Sequence, residues 1–433
     1  MFSLTNYFPV YRTFRNAGYA YVYVDWHIIC VSLRVKELET QPARSPTTKL
    51  TNQENGRMAP VKLRGMAWDH RRAIAPLTHT MALFQQSHPN ITVEWSARPL
   101  AGFEFTSVDA LAEDYDLIIL DHPFMGAVAA SGSLAALDEI GVLSCDQFVG
   151  PTLDSYRMKG SIWALPVDAA CQVAVSRPDL MSALGAETPK SWTDLVALGV
   201  KARRKSKHLA IGLAGVHSLM TFFTLMANLG APCATAQEEP FADRHTARAV
   251  FGLMRELLEF CPSEVFAWNS IKLHDEMVAR DDLVFCPAVY CYATYAEADQ
   301  RRPLRFHDLS GPTGPSGSTI GGTGLAVSAK CKHRQAAFDY VRFAAELATQ
   351  HAFAEHHGQP ARRELWLDDA VNARFGGCYR DTLETMERCW IRPRYNGYLA
   401  FQEKAGDLVE AHLRGDVSED LLLSQLASLH AGR

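Results

Sequence analysis

Apolar and polar positions begin to keep a regular period at residue 61. Residues 61–67 read as a short strand, and Ile74, Leu77, Met81 and Phe84 then recur at the spacing of one helix face. The run His88-Pro89-Asn90 breaks that helix. Ile91, Val93 and Trp95 alternate with polar residues, as in a half-buried strand. After a polar helix near 108–114, residues 116–120 (DLIIL) form a continuous apolar run. Such a run suits a central parallel strand covered on both faces. The strand–helix alternation predicts an α/β fold with doubly wound sheets and right-handed crossovers.

The pattern restarts further on. Residues 163–175 hold two extended pieces around LPVD, and 192–202 read as a helix with Ser191 as N-cap. A strand is expected at 209–213, an apolar helix at 218–229, and an amphipathic helix on Val250, Leu253, Met254 and Leu257. Residues 283–289 form a second buried-strand candidate. Residues 311–324, rich in Gly, Pro, Ser and Thr, read as a connection before a strand at 325–328 and a helix at 334–347. The remainder is expected to be mostly helical, and no internal repeat is visible.

Residues 1–59 stand apart. The stretch 19–33 is apolar but carries Asp25 and His27, and is too short and polar to span a membrane. It lacks the ordered regions of a signal peptide. Residues 36–60 have the composition of a disordered linker, so residues 1–59 are expected to be a disordered or non-native extension, with Met58 as an alternative start. At 433 residues, 48% apolar and 21% charged, the chain has the composition of a soluble globular protein. Its net charge of -5 implies no polyanion-binding surface, and the basic run 201–207 reads as a solvated helix end. The ten cysteines include no CxxC pair, so they read as buried free thiols, which fit a reducing compartment better than an oxidising one.

Four segments in series resemble the extracellular solute-binding proteins of ABC importers, in the sugar-binding group that includes maltose-binding protein. DLIILDHPFMGAVAASGSLAALDEI (116–140) is similar to the strand–loop–helix segment ending in Gly-x-Leu-x-x-Leu. GSIWALPVDAACQVAVSRPDLM (160–181) resembles the segment that crosses between lobes, with Trp163 in place of a tyrosine. PKSWTDLVAL (189–198) and GGTGLAVSAKCKHRQAAFDYVRFAA (321–345) resemble a helix start and the return strand with its helix. The resemblance covers roughly 61–425 and implies a two-lobed type II periplasmic-binding-protein fold. Lobe one would comprise 60–166 with 306–355, lobe two 167–305 with 356–433, and the ligand would lie between them.

Candidate ligand residues follow the expected strand ends. Trp68, Asp69 and His70 follow the first strand, and Asp121 and His122 follow DLIIL. A carboxylate accepts two hydroxyl hydrogen bonds, and an indole covers an apolar sugar face. The alternatives are core packing for Trp68 and helix capping for either aspartate. The resemblance places Asp168 beside the crossing, where the family often carries an acidic ligand residue; a structural hinge bond is its alternative. His217 and Ser218 could line lobe two, with capping equally open to Ser218. The resemblance assigns aromatic contacts to the region of Tyr290 and Tyr292, one of which is expected to face the core. Arg392, Arg394, Tyr395 and Tyr398 (IRPRYNGY) lie where the family has a late aromatic contact. Gly322, Thr323 and Gly324 would bring backbone to the ligand unless they form a tight turn, and Gln359 is a weaker candidate.

No phosphate-binding loop, GxSxG elbow or HExxH motif is present. His356-His357 is not at metal-ligand spacing. The expectation is therefore a binding protein without catalytic residues, metal or cofactor, not an enzyme. It would close as a monomer on a small polar solute, a sugar by resemblance, and dock on a membrane permease. Arg71, Arg72 and Arg394 keep an organic acid open. No nucleic-acid partner is expected. The resemblance implies a periplasmic or extracellular location. The thiols and the missing signal keep open a cytoplasmic sensor or carrier, and an enzyme using the cleft is the third reading.

Overall fold

A computed structural model describes the backbone strands at 13–16 and 19–22, and residues 59–99, 106–141, 144–312 and 317–432. The chain divides into two units, Met1–Arg57 and Met58–Arg433. In the first, Thr13–Asn16 and Tyr19–Val22 pair as an antiparallel two-stranded sheet. The rest of the expected disordered extension, Cys30 included, lies outside the described residues.

The second unit is built on a mixed eight-stranded sheet: β1 (Val61–Trp68), β2 (Ile91–Arg98), β3 (Leu117–Leu120), β4 (Leu165–Ser176), β5 (His208–Leu209), β6 (Leu283–Tyr290), β7 (Arg305–His307) and β8 (Ile320–Val327). The order is β2-β1-β3-β8-β4-β6-β5, with β7 also paired to β4. β1 runs parallel to both β2 and β3, as the alternating strand–helix pattern requires. β8 is antiparallel to β3 and β4, and β6 is antiparallel to β4.

β4 joins the two halves. Its residues Leu165–Cys171 pair with β8, while Gln172–Ser176 pair with β6 and β7. All twelve residues are buried, so the strand is covered on both faces along its length. The two half-sheets are therefore continuous through a shared strand, at the segment expected to cross between lobes.

Local signals place most helices. Helix α1 (Arg71–His79) is capped by His70, whose Nδ1 accepts the Arg72 amide at 3.1 Å. Pro76 lies inside it, and a second helix resumes at Met81, so the expected single helix is two. α2 (Trp192–Arg203) begins with a reciprocal capping box between Ser191 and Asp194. α3 (Val216–Asn228) is buried along its entire length. α4 (Tyr398–Arg414) packs on it closely enough for the Ser218 hydroxyl to donate to the Gly406 carbonyl at 2.9 Å. α5 (Glu419–His430) ends the fold.

Two strand bounds differ from expectation. The strand at 209–213 is only His208–Leu209. β8 begins five residues earlier than the apolar run suggests, and takes in glycines expected to form a connection. Gly321 faces the Tyr290 ring, where an added Cβ would lie 2.7 Å from the ring. Gly322 has φ +88° and its Cβ would lie 2.4 Å from the Asp168 carbonyl. Glycine is thus what lets this strand pass close to β4 and β6.

No helix among the described residues is long and apolar enough to cross a membrane. The nine described cysteines are free thiols.

Candidate functional site

A cleft open to solvent at its mouth lies over the carboxyl ends of β1 and β3 and over β4. Trp68 closes β1, and Arg72 enters from the first turn of α1. Asp121, Pro123 and Phe124 come from the 3-10 turn after β3, and Ala170 from β4. Val216, His217 and Met220 line the other side from the start of α3. Tyr290 and Tyr292 come from the end of β6, and Gly321, Gly322 and Thr323 from β8. Arg392, with Leu399 and Gln402 of α4, completes the wall.

Two buried arginines organise these walls, and each is matched by a carboxylate. Arg72 Nε donates to Asp168 Oδ2 at 2.6 Å, and Arg72 Nη2 forms a second, shorter bond to Asp168 Oδ1. Arg72 Nη1 donates to the Cys291 carbonyl at 2.7 Å, and the guanidinium lies 4.6 Å from the centre of the Tyr292 ring. Arg392 Nη2 donates to Asp121 Oδ2 at 2.7 Å and Nη1 to Gln402 Oε1 at 2.9 Å. Asp121 Oδ1 accepts the His122 amide at 2.8 Å, capping the turn.

Burial sets the electrostatics, and the ion pairs oppose it. Burial alone would lower both arginines, yet Asp168 and Asp121 raise Arg72 and Arg392 above their ordinary values. Burial would raise Asp121, but Arg392 and His122 hold it well below the usual carboxylate range. Asp168 is pushed upward by burial against the pull of Arg72. The bidentate bond keeps that pair ionised. His217 is lowered to about 4, first by burial and then by Arg392. It is therefore neutral at pH 7, and the charged side chains around the cleft cancel in pairs.

The structure brings together Trp68, Asp121, His217, Tyr290, Tyr292, Gly322 and Thr323 of the expected set. Both tyrosines face the cleft, where one was expected in the core. Asp168 lies behind Arg72, on a smaller cavity of about 260 Å³ shared with Gln359, because the guanidinium occupies both its oxygens. His70 caps α1 and packs edge-on against Tyr292 at 5.1 Å, and burial holds it at about 3. Asp69 is exposed beside it, and His122 is sealed beneath Asp121.

The IRPRYNGY segment divides. Arg394 donates to the carbonyls of Asp154, Ser155 and Arg157 at 2.7–2.9 Å and clamps that loop away from the cleft. Tyr395 and Tyr398 pack edge-on against each other, with Tyr398 fully buried at the start of α4. Gln359 ties the Ala169 carbonyl to the Ala293 amide. Ser218 bonds to the Gly215 and Gly406 carbonyls.

Phe124, Met220 and Gln402 line the cleft without having been singled out, and so do Arg392, named only with its segment, and Arg72, named only as a possible partner of an organic acid. Arg72 and Arg392 carried a signal, since each sits within two residues of a selected candidate. The apolar members carried none. No group of three or more His, Cys, Asp or Glu side chains with metal-binding geometry occurs among the described residues.

Residues 80–373 match the family described as bacterial extracellular solute-binding protein. The chain belongs to that family. It is a family of binding proteins that take small solutes and work with membrane permeases, not of enzymes. No curated protein sequence matches this solute-binding protein.

Solved structures share its fold. The maltose-bound MalE3 protein of T. maritima is 19% identical with a TM-score of 0.74, covering 86% of this chain and 99% of its own. An ABC transporter solute-binding protein from Thermotoga lettingae, bound with alpha-D-tagatose, is 13% identical with a TM-score of 0.75, covering 86% and 99%. One from Agrobacterium radiobacter, in complex with ribitol, is 18% identical with a TM-score of 0.69, covering 86% and 99%. The type II periplasmic-binding-protein architecture expected from the four sequence segments is therefore the architecture of this chain.

Proposed function

We propose that this solute-binding protein captures an uncharged polyhydroxylated solute, a sugar or a polyol, and presents it to the permease of an ABC importer outside the cytoplasm. One observation carries the choice of solute: Arg72 and Arg392 are each already matched by a carboxylate, the buried Asp168 and the half-buried Asp121. A ligand carboxylate entering this cleft would compete with Asp168 or Asp121 and leave that aspartate beside a like charge, poorly shielded by water. A hydroxyl-rich ligand faces no such conflict. It meets the aromatic side chains of Trp68, Tyr290 and Tyr292, and the carboxylate of Asp121, all of which line the cleft. The maltose, tagatose and ribitol held by structures of the same fold support this reading.

The lobes are proposed as 60–166 with 306–355 and 167–305 with 356–433, in a monomer. On these bounds Asp121 and Arg392 belong to opposite lobes, and their bond spans the cleft. Closure then brings both walls onto the solute, which favours the closed population.

A thermal-shift panel followed by calorimetry tests the proposal. Neutral sugars or polyols are expected to raise the melting temperature, and dicarboxylates to leave it unchanged. Tyr290→Ala and Tyr292→Ala should each weaken binding by at least about 1 kcal/mol, as for buried aromatic contacts. A response confined to organic acids would reject the neutral-solute reading.

A further inference from the structure

The cleft reading leaves several buried cysteines without a role, and two of them touch. Cys291 Sγ and Cys378 Sγ lie 3.4 Å apart, both shielded from solvent, across a separation of 87 positions. Cys291 stands between the cleft residues Tyr290 and Tyr292, and its carbonyl receives Arg72 Nη1 at 2.7 Å. Cys378 follows the helix Asp369–Arg374, and its carbonyl accepts the Thr382 hydroxyl at 2.8 Å. The sulfurs are in contact and not bonded, since a disulfide bond is about 2.05 Å. The family is extracellular, and disulfides form and persist in that setting.

We infer that Cys291 and Cys378 are a disulfide-forming pair that covalently fastens the tyrosine-bearing wall of the cleft. The oxidant is an external disulfide, such as glutathione disulfide or an oxidised dithiol protein. A thiolate from Cys291 attacks one sulfur of the oxidant, forms a mixed disulfide and expels the first thiol. A thiolate from Cys378 then attacks the Cys291 sulfur, forms the internal bond and expels the second thiol. The two cysteines lose two protons and two electrons, and the oxidant disulfide gains them as two thiols. Burial pushes the Cys378 thiol well above its ordinary value in the folded protein, so the thiolate needed for exchange is scarce once the site is packed. The bond therefore forms while the chain folds.

The bond would tie the end of β6 to a distant segment, fixing Tyr290, Tyr292 and the carbonyl that steadies Arg72. Burial and the neighbouring Cys389 thiol push the Cys171 thiol upward, and these two thiols provide an internal comparison.

The test uses the full chain, refolded from the reduced state in a buffer of glutathione and glutathione disulfide. Remaining thiols are alkylated, and the protein is digested and mapped by mass without reduction. A linked peptide pair containing Cys291 and Cys378, lost on reduction, is expected. Reduction should also lower the melting temperature by several degrees in the parent protein but not in Cys378→Ser. Alkylation of both cysteines when the oxidant-treated protein is unfolded without reductant would overturn the inference, and so would a link found only between Cys171 and Cys389. The peptide map of the parent protein decides the matter even if Cys378→Ser does not fold.

Discussion

Asp168 stands behind the cleft with both carboxylate oxygens taken by Arg72. It neutralises and positions that guanidinium. Removing one member of a buried pair strands the other charge, which costs about 3–5 kcal/mol, whereas replacing both with apolar groups is far milder. Asp168→Ala should therefore lower the unfolding free energy by about that amount. Adding Arg72→Met should restore more than half of it, as measured by urea unfolding. Equal losses in the single and double variants would argue against the pair as the cause. Both residues are plain in the sequence, but nothing local joins them. Asp168 reads as a ligand carboxylate until Arg72, 96 positions away, is seen to fill its oxygens.

At the scale of elements, β8 passes between β3 and β4 with its glycines against the neighbouring backbone. Gly322 holds φ +88° where a Cβ would strike the Asp168 carbonyl. Gly322→Ala should cost about 1–3 kcal/mol from the backbone conformation alone, with the contact adding to it. Because Gly322 and Thr323 also line the cleft, affinity for the solute should fall in the same variant. Thermal unfolding and calorimetry together check this, and unchanged stability would show that the strand can move aside. Apolar runs such as DLIIL and the capping signal at Ser191 were legible because strand burial and helix starts depend on near neighbours. The start of β8 was not legible. Glycine-rich sequence signals a turn and a close strand approach alike, and only β4 and β6 distinguish them.

For the whole molecule, acid should be the destabilising direction. His122 and His274 are sealed in the interior and His217 is buried in the cleft wall, and burial above all lowers each from 6.5 to about 4. The unfolded chain takes up these protons near pH 6.5, while the folded chain refuses them until about pH 4. Between those values the unfolded state binds more protons, so stability rises with pH. The contribution is complete above pH 6.5 and is lost as the pH falls towards 4, at up to about 1.4 kcal/mol per pH unit for each histidine. Asp121, held low by Arg392, acts with the same sign only below its ordinary value near 3.8. Urea unfolding should show a plateau near neutrality and a decline below pH 6.5. Constant stability down to pH 4.5 would contradict the burial of neutral imidazoles.

The sequence by itself determined the order of strands and helices from residue 61, the α/β class and the family architecture. Each of these is written in hydrophobic period, capping residues and motif order along the chain. It also drew attention to Trp68, Asp121, Tyr290 and Tyr292, which line the cleft. Tertiary structure alone decided that Asp168 is bonded to Arg72 and Arg394 to the carbonyls of 154–157, that Arg72 and Arg392 face the cleft already neutralised, and that Cys291 meets Cys378. The physical reason is that the state of a buried charge or thiol depends on its partner and on the exclusion of water. Both are set by segments as far apart as Asp121 and Arg392, 271 positions from each other.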